Sequence, residues 1–220
     1  MSEIESVALS NWLQDNVPAN NISISRRSPL FGVGINDSSY ITRPKIDGKQ
    51  LVCQAYSSWK YMLYRAYNDN YHNRFPTYLD VVVCDEWLTF SKFRVWWVDN
   101  YVEGWELDKD LLVPNNKVYS PETCVYVPNW LNSFVLNSST TRGNNKIGVT
   151  WYKKLNKFHA KCSNLKTKKS EHLGYFVLEE DAYNAWLTRK LELANELKLE
   201  MDVIDLRIYP NIVGIIKSAV

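Results

Sequence analysis

The amino-acid sequence predicts an α+β fold in two parts: a helix-containing part built on a strand–turn–strand–helix unit, then a small three-stranded sheet closed by one helix. Three observations predict it. Apolar residues recur every three or four positions between Tyr56 and Tyr67, and short apolar runs alternate with Asn- and Pro-rich turns between 105 and 134. The runs KIGVTWYKK, KFHAKCS and EHLGYFV then precede a segment opening with Glu179, Glu180 and Asp181, acids favoured at the positive end of a helix. The expected boundaries are an N-terminal arm over 1–50, a core over 51–138, a sheet domain over 139–195 and a tail over 196–220.

Along the arm, SRRSPLFGVGINDSSY and RPKIDGKQ carry Gly, Pro, Asn and Asp punctuation, which predicts a loose structure. In YSSWKYMLYRAY, Tyr56, Trp59, Met62, Leu63, Ala66 and Tyr67 make the buried stripe of an amphipathic helix, with Lys60 and Arg65 outside it. NDNYHNRFPTY reads as a loop and YLDVVVCDEW as a short strand leading into a turn. LTFSKFRVWWVDN reads as a second helix with Phe90, Phe93, Trp96 and Trp97 inward. WELDKDLLV is strand-like, PNNK a turn, TCVYV a strand, and Pro128 starts a helix over PNWLNSFVL. SSTTRGNN is a flexible join. The last predicted helix begins near Leu178, with Ala182, Trp186 and Leu187 toward the sheet, and the tail from about 191 continues helical.

Composition narrows the class. A chain of 220 residues, 45% apolar and 14% aromatic, can bury one good core or two small ones. No apolar run approaches the roughly 20 residues that span a bilayer, and MSEIESVALSNWL has acids where a signal peptide has bases. The expectation is a soluble, cytoplasmic protein with no membrane partner. Cys53, Cys84, Cys124 and Cys162 stand far apart without a C-x-x-C pair, which predicts buried free thiols and no structural zinc.

Charge is unevenly placed. Between Arg142 and Tyr175 there are nine basic residues and one acid, Glu171, whereas the rest of the chain has 17 basic residues against 23 acidic ones. Such a segment is suited to a polyanion. Period-two alternation puts Lys157, His159 and Lys161 on one strand face, opposite Phe158 and Ala160. One face of a twisted sheet can enter the major groove, so these three are expected at base edges, with Arg142, Lys146, Trp151, Lys153 and Lys154 at phosphates and sugars.

In LDKDLLVPNNKVYSPETC, two acids flank a lysine at the end of a strand, and the helix beyond it carries Asn132. Asp and Asn are hard oxygen donors of the kind that hold magnesium at a phosphate. The same residues also suit ordinary turns on a solvated hairpin.

With the blocks W-x-x-M-x-x-R (Trp59 to Arg65), V-C-D-E-W-L-x-F (Val83 to Phe90), LDKDLL and YSPETCVYVP, the chain resembles the HNH endonucleases, in particular phage homing-type enzymes. The likeness covers most of residues 30 to 190. It implies an HNH-like ββα-metal core that hydrolyses phosphodiester bonds with Mg2+ or Mn2+. Asp108 and Asn132 would be metal ligands, Lys109 would stand at the general-base position that the family gives to histidine, and Thr123 at that of the orienting Asn. A one-residue slip would put Asp110 at the metal instead. The histidines present are His72, a candidate surrogate base, and His159 and His172 in the basic segment. RGNNKIGVTWYKKLNKFHAKCS followed by HLGYFVLEEDAYNAW resembles the ethylene-response-factor type of DNA-binding domain, a three-stranded sheet with one helix. The two likenesses imply an endonuclease or nickase acting on double-stranded DNA. The alternative is an inactive DNA-binding or regulatory protein derived from one, and an interaction protein is a third class.

Overall fold

The computed structural model describes residues 6–135 and 145–219, so Arg142 and most of the expected join lie outside the described residues. Helix and strand are mixed, and the chain divides into two units, Met1–Tyr126 and Val127–Val220. Among the described residues no helix is long and apolar enough to cross a membrane.

The first unit is organised around aromatic residues on two helices, α3 (Gln54–Tyr67) and α5 (Phe90–Asn100). The predicted stripe of α3 is buried at Trp59, Met62, Leu63 and Ala66, and α5 buries Phe90, Phe93 and Trp97. The Trp59 indole N–H donates to the Trp87 carbonyl at 2.6 Å, so the ring is buried without leaving its polar atom unpaired. Phe90 meets Trp59 at 5.4 Å, and Phe93 stands edge-on to Trp87 at 5.1 Å. Trp96 is only partly buried, against Tyr126.

Residues read from sequence as a loose arm belong to this core. Helix α1 (Ser6–Asn16) packs on α3 and buries Ser10 and Leu13, while Tyr40 is 2% exposed. Arg27 fixes the intervening chain by donating to the carbonyls of Asn36, Ser38 and Tyr40. A short helix α2 (Asn21–Ser25) has a capping box from Asn20 and Ser23, and β1 (Lys45–Ile46) pairs with β2 (Lys49–Gln50). The segment expected as a loop before FPTY contains a short helix α4 (Asp69–Arg74), capped by Asn68. The strand β3 (Val82–Val83) pairs in parallel with β5 (Val118–Tyr119), and β4 (Glu106–Asp108) pairs with β6 (Val125–Val127). The expected simple hairpin is therefore interrupted by β5, which turns to a different partner.

In the second unit α6 (Asn129–Val135) precedes the sheet of β7 (Val149–Tyr152), β8 (Lys157–Asn164) and β9 (Lys169–Phe176), antiparallel in the order β7-β8-β9. Helix α7 (Glu179–Glu196) packs on all three strands, and α8 (Lys198–Ile204) and α9 (Ile208–Ser218) continue the chain. On the helix side lie buried Val149, Ala160 and Cys162; Ala182 and Trp186 meet them from α7. Ile208, Ile212 and Ile216 recur at helical spacing on α9 and are buried, which anchors the end of the tail. Gly148 sits at φ +76°, and a Cβ there would lie 2.1 Å from the Trp186 ring. Gly148→Ala combines a left-handed backbone with a clash against an anchored indole, so it should cost about 2–4 kcal/mol in a urea unfolding titration.

Candidate functional site

Two places concentrate the expected site residues, one in each unit. In the first unit, LDKD forms a turn held by its own side chains. Asp108 Oδ1 accepts the backbone N–H groups of Asp110 (2.9 Å) and Leu111 (2.8 Å), the arrangement by which Asp closes a turn. Asn116 Nδ2 donates to the carbonyls of Lys109 and Val118, each at 2.6 Å, and its Oδ1 accepts from Val118 N–H. Thr123 Oγ1 donates to the Val118 carbonyl at 2.8 Å and lies 3.1 Å from Ser120 Oγ.

Lys109 is 6% exposed. Its Nζ donates to Asp110 Oδ2 at 2.8 Å and to the Asn116 carbonyl at 3.2 Å, and lies 5.4 Å from the centre of the Tyr78 ring. An ammonium so held has donors and no acceptor, the opposite of what a general base needs. Burial, with the like charge of Asp110 as the next cause, pushes the Asp108 carboxyl up to about 6, against the lowering effect of the two backbone N–H bonds. Asn132 stands on α6, in the second unit. Among the described residues no three His, Cys, Asp or Glu side chains form a group that could hold a metal ion.

Arg65, expected outside the α3 stripe, has its guanidinium over the rings of Tyr61 and Tyr119, each at 5.1 Å, and donates to the Leu107 carbonyl at 3.1 Å. It thereby fixes β4 immediately before Asp108. Periodicity placed Arg65 off the apolar stripe; it carried no signal of the tyrosines that meet it there. His72 Nε2 lies 3.1 Å from the Arg65 carbonyl, so its donor is committed to the end of α3.

The second unit offers a different surface. Cross-strand register puts Thr150, His159 and Tyr175 in one row, and Lys161 beside His172, all on the face away from α7. Lys157, Lys161 and Ser163 are exposed there, and Lys153 and Lys154 are exposed in the β7–β8 turn. The single acid of the segment, Glu171, lies on the other face. Arg189 of α7 donates to it at 2.6 Å and Asn164 Nδ2 also at 2.6 Å, and these bonds hold its carboxyl down to about 2. Lys146 is paired with Glu180 and lies over the Tyr183 ring at 4.8 Å. Trp151, 41% exposed, stands edge-on to Phe158 at 4.8 Å, in the register row of the helix-side face and at its end.

The sequence places His159 on the sheet face expected to meet base edges. It occupies the expected face but is 8% exposed, because His172, Tyr175 and Tyr152 close around it. His159 Nε2 and His172 Nδ1 are 2.5 Å apart. Residues 172 and 175 would point to opposite faces of a regular strand. The β9 bulge at Leu173, where Ala160 pairs with Gly174 and Lys161 with His172, puts both on the His159 side. Gly174 at φ +131° permits it. In the sequence the only trace of this cluster is the glycine within HLGYF.

The turn and the carboxyl can be separated by mutation. A carboxyl whose folded-state value is raised stabilises fully only below pH about 4 and loses that contribution as the pH rises through about 6. Asp108→Asn keeps the Oδ1 acceptor and removes the charge. Relative to the parent, its unfolding free energy in urea titrations should be unchanged at pH 4 and higher at pH 8, by about 1 kcal/mol after solvent screening.

Comparison of the chain with models of protein families, with curated proteins and with solved structures finds no match in any of the three.

Proposed function

We propose that this chain binds double-stranded DNA through the helix-free face of the β7–β8–β9 sheet and its β7–β8 turn. The observation that carries the reading is charge segregation within one small sheet. Lys157, Lys161, Lys153 and Lys154 are exposed on or beside the open face, while Glu171 is turned to α7 and neutralised by Arg189. A polyanion is attracted to such a face by counterion release, whatever its sequence. Sheet residues that project toward a groove add sequence preference. The likeness of this segment to ethylene-response-factor domains, and of the preceding residues to HNH endonucleases, makes duplex DNA the polyanion of choice.

Lys146 is given a positioning role here instead of a phosphate contact, since its ammonium is paired with Glu180. In the first unit, Asp108, Asn116 and Thr123 hold a turn, and Lys109 is a buried donor. This favours an HNH-derived DNA-binding protein over an efficient nuclease. A second reading, metal-assisted phosphodiester hydrolysis, rests on one specific observation: the ionisation of Asp108 is opposed by burial and then by the charge of Asp110, and a divalent cation would relieve it. Mg2+ or Mn2+ bound by these carboxylates would polarise a phosphate and acidify bound water.

Binding of a labelled duplex by the full chain, measured against salt concentration, tests the first reading. Lys153→Ala/Lys154→Ala should weaken binding across sequences and reduce the slope of log affinity against log salt by roughly two, about one per lost phosphate contact. An unchanged slope contradicts the assigned face. Plasmid cleavage with Mg2+ or Mn2+ tests the second reading. Cleavage abolished by Asp108→Ala supports it, and intact plasmid under all conditions with duplex binding retained ends it.

A further inference from the structure

We infer that the His159–His172 pair makes DNA binding proton-linked: the pair takes up one proton as the duplex binds, so affinity rises as the pH falls. The inference rests on the proposed DNA-binding face and concerns how that face is regulated.

The geometry sets the stoichiometry. With His159 Nε2 and His172 Nδ1 2.5 Å apart, one nitrogen must donate a proton and the other must offer a lone pair. The neutral pair therefore holds two protons on four ring nitrogens, one of them between the rings. A third proton goes to an outer nitrogen, creates one positive charge and leaves the shared bond in place, now charge-assisted and stronger. A fourth would place two hydrogens between nitrogens that are already in contact and would break the pair. The cluster can thus gain one charge without rearrangement.

The surroundings decide when it does so. Facing the pair from β7 is Tyr152, from β8 Lys157 and Lys161, and from β9 Tyr175. Among the described residues of this face there is no carboxylate, because Glu171 is on the α7 side with Arg189. Burial first, then the charge of Lys161, then His172 push His159 below its usual range, which disfavours its charged form when the face is free. A phosphate backbone laid against Lys157 and Lys161 cancels the repulsion that opposes the proton. Whatever DNA does to favour the proton, the proton does equally to favour DNA. The bulge at Leu173 and Gly174 that joins the two histidines on one face is the structural basis of the device.

The test uses the full chain and a fluorescently labelled duplex at constant ionic strength, with affinity measured from about pH 8 down to about pH 5.5, the range in which imidazoles titrate. Affinity should rise about 3- to 10-fold, as for linkage to a single proton. His159→Gln and His172→Gln should each lose that acid-side gain, and His72→Gln, in the other unit, should keep it. A flat profile for the parent chain, or a full gain in both glutamine variants, overturns the inference while leaving the DNA-binding reading intact. No duplex binding at any pH overturns both. NMR titration of the imidazole ring protons decides the pair itself: joint uptake of one proton by the two rings supports the inference, and two independent single-ring titrations overturn it.

Discussion

A three-stranded sheet has two faces, and among the described residues of the second unit one helix, α7, packs across all three strands. That constraint shapes both sides of the sheet. Helix α7 takes the face bearing Val149, Ala160 and Cys162, and the other face must then be compatible with water without unfolding the strands. It is made so by lysines at Lys157 and Lys161 and by a cluster of Tyr152, His159, His172 and Tyr175 that shields its own apolar surface. The same constraint explains Glu171. On the covered face its carboxylate finds Arg189 and Asn164; on the open face it would have opposed any polyanion. The segregation of charge between faces is thus a product of the fold and also the basis of the proposed binding.

The first unit depends on a different economy of polar groups. Its aromatic core is rich in side chains that carry a donor or acceptor, and Tyr40, Trp59 and Trp97 are satisfied locally, as in the bond from Trp59 to the Trp87 carbonyl. The LDKD turn obeys the same principle. Asp108 closes it, Asn116 ties it to β5, and Lys109 is buried between Asp110 and the Asn116 carbonyl. Residues that resemble a metal site in sequence serve here to hold backbone. The cost shows at Asp108, whose ionisation is opposed by burial and by Asp110 and only in part favoured by its two backbone N–H bonds.

Much of the fold was legible in the sequence where periodicity is long enough to speak. The stripe of α3 and the three strands of the sheet, with its closing helix, all occur at the expected places, because each repeats its pattern over several residues. Helix α1 was not legible: only Ser10 and Leu13 of it are buried, while Trp12 is exposed, so no stripe marks it. The two-residue strands β3 and β5 are too short to show a period, and their parallel pairing depends on tertiary contacts. At the site level, residue types pointed to Asp108 and Asn132, and the family resemblance to Lys109 and Thr123, but which atoms the side chains of Asp108, Lys109 and Thr123 would reach was set by Asn116 and by the backbone of the turn. The His159 cluster was hidden for a sharper reason. A bulge of one residue reverses the face of everything beyond it, and nothing in a strand's alternation announces where that residue is inserted.

The central claim is that the open sheet face, and not the LDKD turn, is where this protein meets DNA. Hydrogen–deuterium exchange of the full chain with and without duplex tests it most directly. The expected result is slowed exchange in the β7–β8 turn and along β8 and β9 when DNA is present, with the amides of Asp110 and Leu111 unchanged. Protection centred on 108–123, with the sheet exchanging as in the free protein, would contradict it.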